Sequence, residues 1–366
     1  MIYDSPSHIY HSALPFSPSS SWLRQCYKEE LAQEVEVVTG LPDEWDTCPR
    51  TIFFDVQPLA LAYRGDVIAV GSTSNEVVIL DAITGSRNSL FSGHTNTISS
   101  LAFSSDGMLL VSGSKDKTVK LWDVQTGGTV KTFSDHTSAV SSVSISPDRT
   151  MVVSGSRDGM IYLWDIETGE RLHLATRHWS EVTAVSFQPT NSQRFISSST
   201  DSTVQQWDID GHMVGHPHLE ADEVAHVTYS LDGTCFVSCG GTAATVRDSE
   251  SGGEVVKLQS PKQIFRYCSF SPNGRFVACA AADEIHVWDI TSVEPHLIGN
   301  FVGHTEDIIS IIFSSSLISG SKDRSVKFWQ IGTSPKLMNS TMTGDMPMLL
   351  ASAAIESGDL SEVTKT

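Results

Sequence analysis

The chain has 366 residues, with 43 Asp and Glu against 24 Lys and Arg, and a formal net charge of −19. A polymer this acidic is repelled by nucleic-acid phosphates and by anionic membrane surfaces, so neither is expected as a partner. No apolar run reaches the roughly 18 residues that a bilayer-spanning helix needs.

The first 50 residues form a segment of their own. Pro15 and Pro18 precede Ser19, Ser20 and Ser21, and then Trp22, Leu23, Cys26, Tyr27 and Leu31 recur at helical spacing. That pattern predicts a short amphipathic helix over residues 22–34, opened by a serine cap. Its apolar stripe packs against the chain's own folded body or a neighbouring domain, or else docks in a partner's groove. The first eight residues, MIYDSPSH, carry neither a basic stretch nor an apolar run, so no secretory signal is expected there. Six cysteines at positions 26, 48, 235, 239, 268 and 279 lack Cys-x-x-Cys spacing. Reduced core thiols are expected, with Cys268 and Cys279 placed to face each other across a hairpin and no ligand set for zinc or another metal. These features point to a cytoplasmic chain, with the nucleus left open.

From residue 51 the chain repeats itself. The stretch SGSKDKTVKLWD at 112–123 returns as SGSRDGMIYLWD at 154–165 and as SGSKDRSVKFWQ at 319–330. Its glycine and lysines invite comparison with a phosphate-binding loop, but G-x-x-x-x-G-K-[ST] is absent. The residues that follow alternate apolar and polar, as in a strand. No nucleotide or other cofactor is therefore expected. Weaker copies close at Asp81, Asp208, Asp248 and Asp289, and the seven ends lie 42, 42, 43, 40, 41 and 41 residues apart. A period of about 40–45 residues ending in Trp-Asp marks a four-stranded propeller blade. Residues 51–331 thus resemble the WD40 family, which implies an all-β fold, a seven-bladed β-propeller. Arg50–Phe54 aligns with the segment VKTFS at 130–134 and is expected to supply the outer strand of the seventh blade, closing the ring. Residues 332–366, rich in Ser, Thr, Met and Gly without periodicity, read as a disordered tail.

The resemblance gives the repeated polar residues a structural role. In the family a His before the first strand, a Ser or Thr in the second, an Asp in the next turn and the Trp of the third form one hydrogen-bonded chain. Four blades carry all four: His94, Ser112, Asp116 and Trp122; His136, Ser154, Asp158 and Trp164; His178, Ser197, Asp201 and Trp207; His304, Ser319, Asp323 and Trp329. A Ser–His–Asp set suggests a hydrolase, but four copies in register do not, because catalysis needs one site. No catalytic residue is expected. The first, fifth and sixth blades depart: Ser74 and Leu80; Glu220, Gly241 and Arg247; Pro261. Apolar packing alone is expected to hold these three together.

In the family the loops before each first strand and the turns before each third strand form the usual binding rim. Here they carry Asn96, Lys115, Lys117, Arg157, Trp179, Glu181, Asp222, Glu223, Arg266, Glu306, Asp307, Lys322 and Arg324. Lys115, Lys117 and Arg157 on adjacent blades make a basic sector beside an acidic one of Glu181, Asp222 and Glu223. Such a rim orients a polar peptide or protein, and Trp179 is its candidate aromatic anchor.

A second resemblance covers SPSHIYHSALPFSPSSSWLRQCYKEE, residues 5–30. It looks like the connector that precedes the propeller in fungal NACHT–WD40 proteins, the STAND-type NTPases. The resemblance implies the sensor propeller of such a signal-transducing system, with a NACHT NTPase domain in cis or in trans. The alternatives are a constitutive scaffold or substrate adaptor of a multiprotein complex and, third, an enzyme.

Overall fold

The computed structural model describes residues 48–260, 263–292, 294–314 and 316–331. The expected helix over 22–34, the tail 332–366 and Pro261 lie outside the described residues. Within them, strands form where β-branched and aromatic side chains alternate with small or polar ones, as in Val67–Ser72 and Met160–Asp165. They assemble into seven antiparallel sheets of four strands. Blade 2 is representative: Ile98–Phe103 lies innermost, followed outward by Leu109–Ser114, Val119–Asp123 and Thr129–Phe133. Blades 1 and 3 to 6 occupy residues 58–92, 140–177, 182–219, 226–259 and 265–302. No helix among the described residues is long and apolar enough to cross a membrane.

Blade 7 joins the two ends of the repeat region. Its three inner strands are Ile308–Phe313, Leu317–Ser321 and Ser325–Trp329, and its outermost is Arg50–Phe53, with Arg50 opposite Phe328. The Arg50 side chain adds a second tie. Its Nη1 donates to the carbonyls of Ala82 and Ile83 in blade 1, each at 2.7 Å, while the guanidinium lies 4.8 Å from the centre of the Phe328 ring.

The apolar core sits between blades. One cluster joins Ala69, Ile79 and Phe91 of blade 1 to Ile98, Leu110 and Trp122 of blade 2. Another joins Ile68 and Leu80 of blade 1 to Ile318 and Phe328 of blade 7. Each sheet is thus buried on both faces by its neighbours. Cys268 and Cys279 stand opposite each other in blade 6 and are buried as thiols with Cys239.

Inner strands of all seven blades surround a channel of about 520 Å³. In blades 1 to 4, 6 and 7 a register shift interrupts the start of the inner strand. Such a bulge re-aims the residue it contains. Here those residues are Leu59, Ser99, Ser141, Thr183, Arg266 and Ile309.

Candidate functional site

The rim is built on the buried polar residues beneath it. In blade 2 the indole Nε1–H of Trp122 donates to Ser112 Oγ at 2.8 Å, and Ser112 Oγ–H donates to His94 Nε2 at 2.7 Å. His94 Nδ1–H then donates to Asp116 Oδ2 at 2.8 Å. The carboxylate only accepts, which fixes the tautomer. The same order recurs at His178, Ser197, Asp201 and Trp207, and at His304, Ser319, Asp323 and Trp329, with all distances between 2.7 and 3.1 Å.

Burial pushes the pKa of His94, His178 and His304 down, against the pull of their carboxylates. For Asp116, burial acts to raise the pKa, yet hydrogen bonds from Thr118, Thr95 and His94 prevail and hold it at about 2. Each aspartate also accepts the backbone N–H of the residue after its histidine: Thr95 and Trp179 at 2.9 Å, Thr305 at 3.1 Å. The rim loops are thereby fastened to the interior.

Blade 3 corrects the expectation for its set. His136 Nε2 and Trp164 Nε1 each meet Ser154 Oγ at 2.8 Å, but His136 Nδ1 lies 3.5 Å from Asp158 Oδ2 and has no hydrogen-bond partner. Asp158 Oδ2 is taken instead by Thr137, through its N–H at 2.9 Å and its hydroxyl at 3.0 Å. Blade 3 also differs in having Met160, which offers no hydroxyl. Elsewhere this position carries Thr118, Thr203 or Ser325, whose hydroxyl donates to the aspartate at 2.6 Å and stands 3.1–3.3 Å from the histidine Nδ1. His136 stacks on Tyr162, with ring centres 4.5 Å apart.

The expectation that apolar packing alone holds the divergent blades is also corrected. In blade 5, Glu220 Oε1 accepts from Ser238 Oγ and from Arg247 Nη2, both at 2.9 Å. Glu220 thus bridges Ser238 and Arg247, where blades 2, 3, 4 and 7 link His to Trp through Ser. In blade 6, His286 Nε2–H donates to Gln263 Oε1 at 2.7 Å, and the imidazole stacks on Trp288. In blade 1, Ser72 and Ser74 share a hydrogen bond of 2.7 Å. The sequence signal for blade 5 was the joint change: an acid in the histidine position and a base in the tryptophan position of one repeat.

On the rim, Asn96, Lys115, Lys117, Arg157, Glu181, Asp222, Glu223, Arg266, Glu306 and Arg324 are exposed, and Asp307 and Lys322 half-exposed. Lys117 and Arg324 hold left-handed backbone at φ 72° and 64°, where blade 3 has Gly159. Lys115, Arg157 and Glu181 border the mouth of the channel. The two charged sectors are not separate, because Arg157 Nε lies 3.7 Å from Glu181 Oε2. Lys322 Nζ likewise donates to Asp307 at 2.7 Å.

Sequence reasoning missed a groove of about 650 Å³ where blades 4, 5 and 6 meet, bordered by Asp222, Glu223, Ile264 and Arg266 above the buried Val224 and Phe265. On its blade 5 side it is bordered by a short turn through Gly241. Only Gly241 and Thr242 link the second and third strands of blade 5, and only Ala282 and Asp283 those of blade 6, where blade 2 uses Lys115 to Thr118. Gly241 has φ +53°, and a Cβ on it would collide with the Asp222 carboxylate; one on Gly240 would meet the Glu223 carbonyl. The glycine pair lets the loop before blade 6's neighbour settle inward. Among the described residues Asp208, Asp210 and His212 come nearest to a metal-binding group, but they are largely exposed and Asp208 Oδ1 caps the turn through the His212 N–H at 2.8 Å.

Four segments, residues 85–123, 127–165, 169–208 and 295–330, match the family model described as WD domain, G-beta repeat. WD40 repeats are therefore present, arranged as a seven-bladed propeller. The chain is also similar to proteins named WD repeat-containing protein 37 from Homo sapiens, Mus musculus and Xenopus tropicalis. Each is 31% identical over 91 residues, which is 24% of this chain and 18% of the relative. The match thus spans under a fifth of those relatives' length.

Proposed function

We propose that this propeller of WD40 repeats is a non-catalytic recognition module that binds a protein or peptide ligand on its rim. WD40 propellers are protein-interaction modules as a class, and Trp179 carries the reading here. It is 88% exposed, yet its N–H is fastened to Asp201 Oδ2 at 2.9 Å and its neighbour His178 is buried. A large aromatic side chain held in solvent on a fixed backbone loses little entropy on binding and suits an interface anchor. The residues that would otherwise suggest hydrolysis are consumed in holding blades.

The finer reading is that of a cytoplasmic sensor propeller in a NACHT–WD40 system, acting with a NACHT NTPase domain in cis or in trans. It is supported by the sequence of residues 5–30, which lie outside the described structure. An in-frame Walker loop in the coding DNA upstream of Met1 would support the arrangement in cis, and a promoter there would favour a stand-alone protein.

For the recognition role, proximity labelling with the full chain is compared with Trp179→Ala. The expected outcome is loss of the labelled partners with a melting temperature within about 2 °C of the parent, as for an exposed side chain. An unchanged set of labelled partners would remove Trp179 from the interface.

A further inference from the structure

We propose that the groove at blades 4, 5 and 6 is a docking site for a basic peptide segment. Its lysine or arginine would meet Asp222 and Glu223, and an adjacent apolar side chain would cover Ile264. This rests on the recognition reading above and names the chemistry of the ligand.

Charge is the first argument. Arg157 answers Glu181, and Lys322 answers Asp307. Asp222 and Glu223 are exposed and form no ion pair among the described residues. Lys257 borders a small cleft beside Asp222 without pairing with it. Arg266, on the far wall, faces the field of Asp307. Against these two carboxylates the groove holds one cation, Arg266, so its net charge is negative, on a chain that already carries −19. A cationic segment is drawn there both by the long-range field and by the local carboxylates.

Shape is the second argument. A volume of about 650 Å³ accommodates a few side chains. Ile264 is 57% exposed at its border, directly before the fully buried Phe265. An apolar contact next to two carboxylates matches a peptide with alternating basic and apolar side chains.

The third argument is a missing bridge. Ser99, Ser141 and Thr183 each donate a hydroxyl to the carbonyl of the next blade, at Val140, Val182 and Val224. Ala225 and Arg266 stand at the corresponding positions of blades 5 and 6, and alanine has no hydroxyl to donate. The bridge is equally missing where Leu59 and Ile309 hold this position in blades 1 and 7, so at the groove its absence leaves the seam between blades 5 and 6 open without setting that seam apart.

The test pans a phage-displayed library of random 12-residue peptides on the immobilised full chain and measures the affinity of the selected peptides. Lysine or arginine beside Leu, Ile or Phe is expected to be enriched. The isosteric change Asp222→Asn with Glu223→Gln should weaken the selected peptides at least tenfold, and Ile264→Ser several-fold, with melting temperatures kept. Glu167→Gln with Glu254→Gln, two exposed carboxylates outside the groove's lining, should alter affinity less than twofold. Selected peptides that are acidic, or that bind Asp222→Asn/Glu223→Gln as well as the parent while losing affinity for Trp179→Ala, would overturn the groove and leave rim recognition standing. Failure to enrich any peptide would count against both.

Discussion

Arg247 donates to Glu220 at 2.9 Å inside blade 5, with side chains only 10% and 17% exposed. Removing one partner of such a pair strands the other's charge, which typically costs about 3–5 kcal/mol. Arg247→Leu or Glu220→Leu alone should therefore destabilise the chain by roughly 3 kcal/mol. The double substitution should cost far less than the sum. Urea unfolding of the four proteins measures the coupling; additive losses would mean that the two charges act independently.

Blade 3 offers the converse experiment. His136 Nδ1 is buried 3.5 Å from Asp158 without a hydrogen bond, and the neighbouring Met160 supplies no hydroxyl. Met160→Thr should place one as Thr118 does for His94, raising stability by about 0.5–1.5 kcal/mol, the net worth of a hydrogen bond. In the intact blade 2, Asp116→Ala should cost about 1–3 kcal/mol by removing the carboxylate that accepts from His94, Thr118 and Thr95. A Met160→Thr variant less stable than the parent would show that lost methionine packing outweighs the new bond.

How far the sequence could be read depends on whether a feature is periodic. Trp122, Trp164, Trp207, Trp288 and Trp329 lie at separations close to multiples of about 41 residues, so the blades and the role of Arg50–Phe53 as closing strand were legible in the sequence. What broke the period was misread. Glu220 and Arg247 lie 27 residues apart and looked like two losses from the pattern, whereas together they are one substitution of chemistry. The groove was illegible because it depends on what one repeat lacks: the short blade 5 turn with Gly240 and Gly241 leaves space that no motif describes. Arg157 and Glu181 were assigned to different sectors because adjacency between blades brings them together, not adjacency along the chain.

Acid should act in two stages. His94, His178 and His304 have pKa values lowered from 6.5 by burial, and His226 is pushed down to about 4. The unfolded chain therefore takes up protons first as pH falls below about 6.5, and stability declines from there. Asp116, with a pKa of about 2 against 3.8, contributes stability that is full above 3.8 and lost as pH falls toward 2. Melting temperatures should be flat near neutrality, fall below pH 6.5 and fall more steeply below pH 4. His226→Asn should blunt the upper stage; a profile that rises on acidification to pH 5 would contradict the assignment.

Ring closure can be tested by truncation. Deleting residues 1–55 removes the partner of Ser325–Trp329 and the Arg50 tie to blade 1. A sharply lower melting temperature and self-association through the bared strand edge are expected, the latter read by size-exclusion chromatography. A truncated chain that melts like the parent would mean that another segment closes blade 7.

The same closure sets a clock on biosynthesis. Thr51 and Lys327, which meet across the final sheet, are 276 residues apart. At about 5–20 residues per second, the early strand waits on the order of 10–60 s at the ribosome before its partner is made. Throughout that interval six blades can stack in sequence while the ring stays open, and Arg50–Phe53 remains an unpaired edge with Phe53 attached. The nascent chain is thus vulnerable to capture by chaperones or by other nascent copies at this early strand, and synthesis of blade 7 ends that exposure.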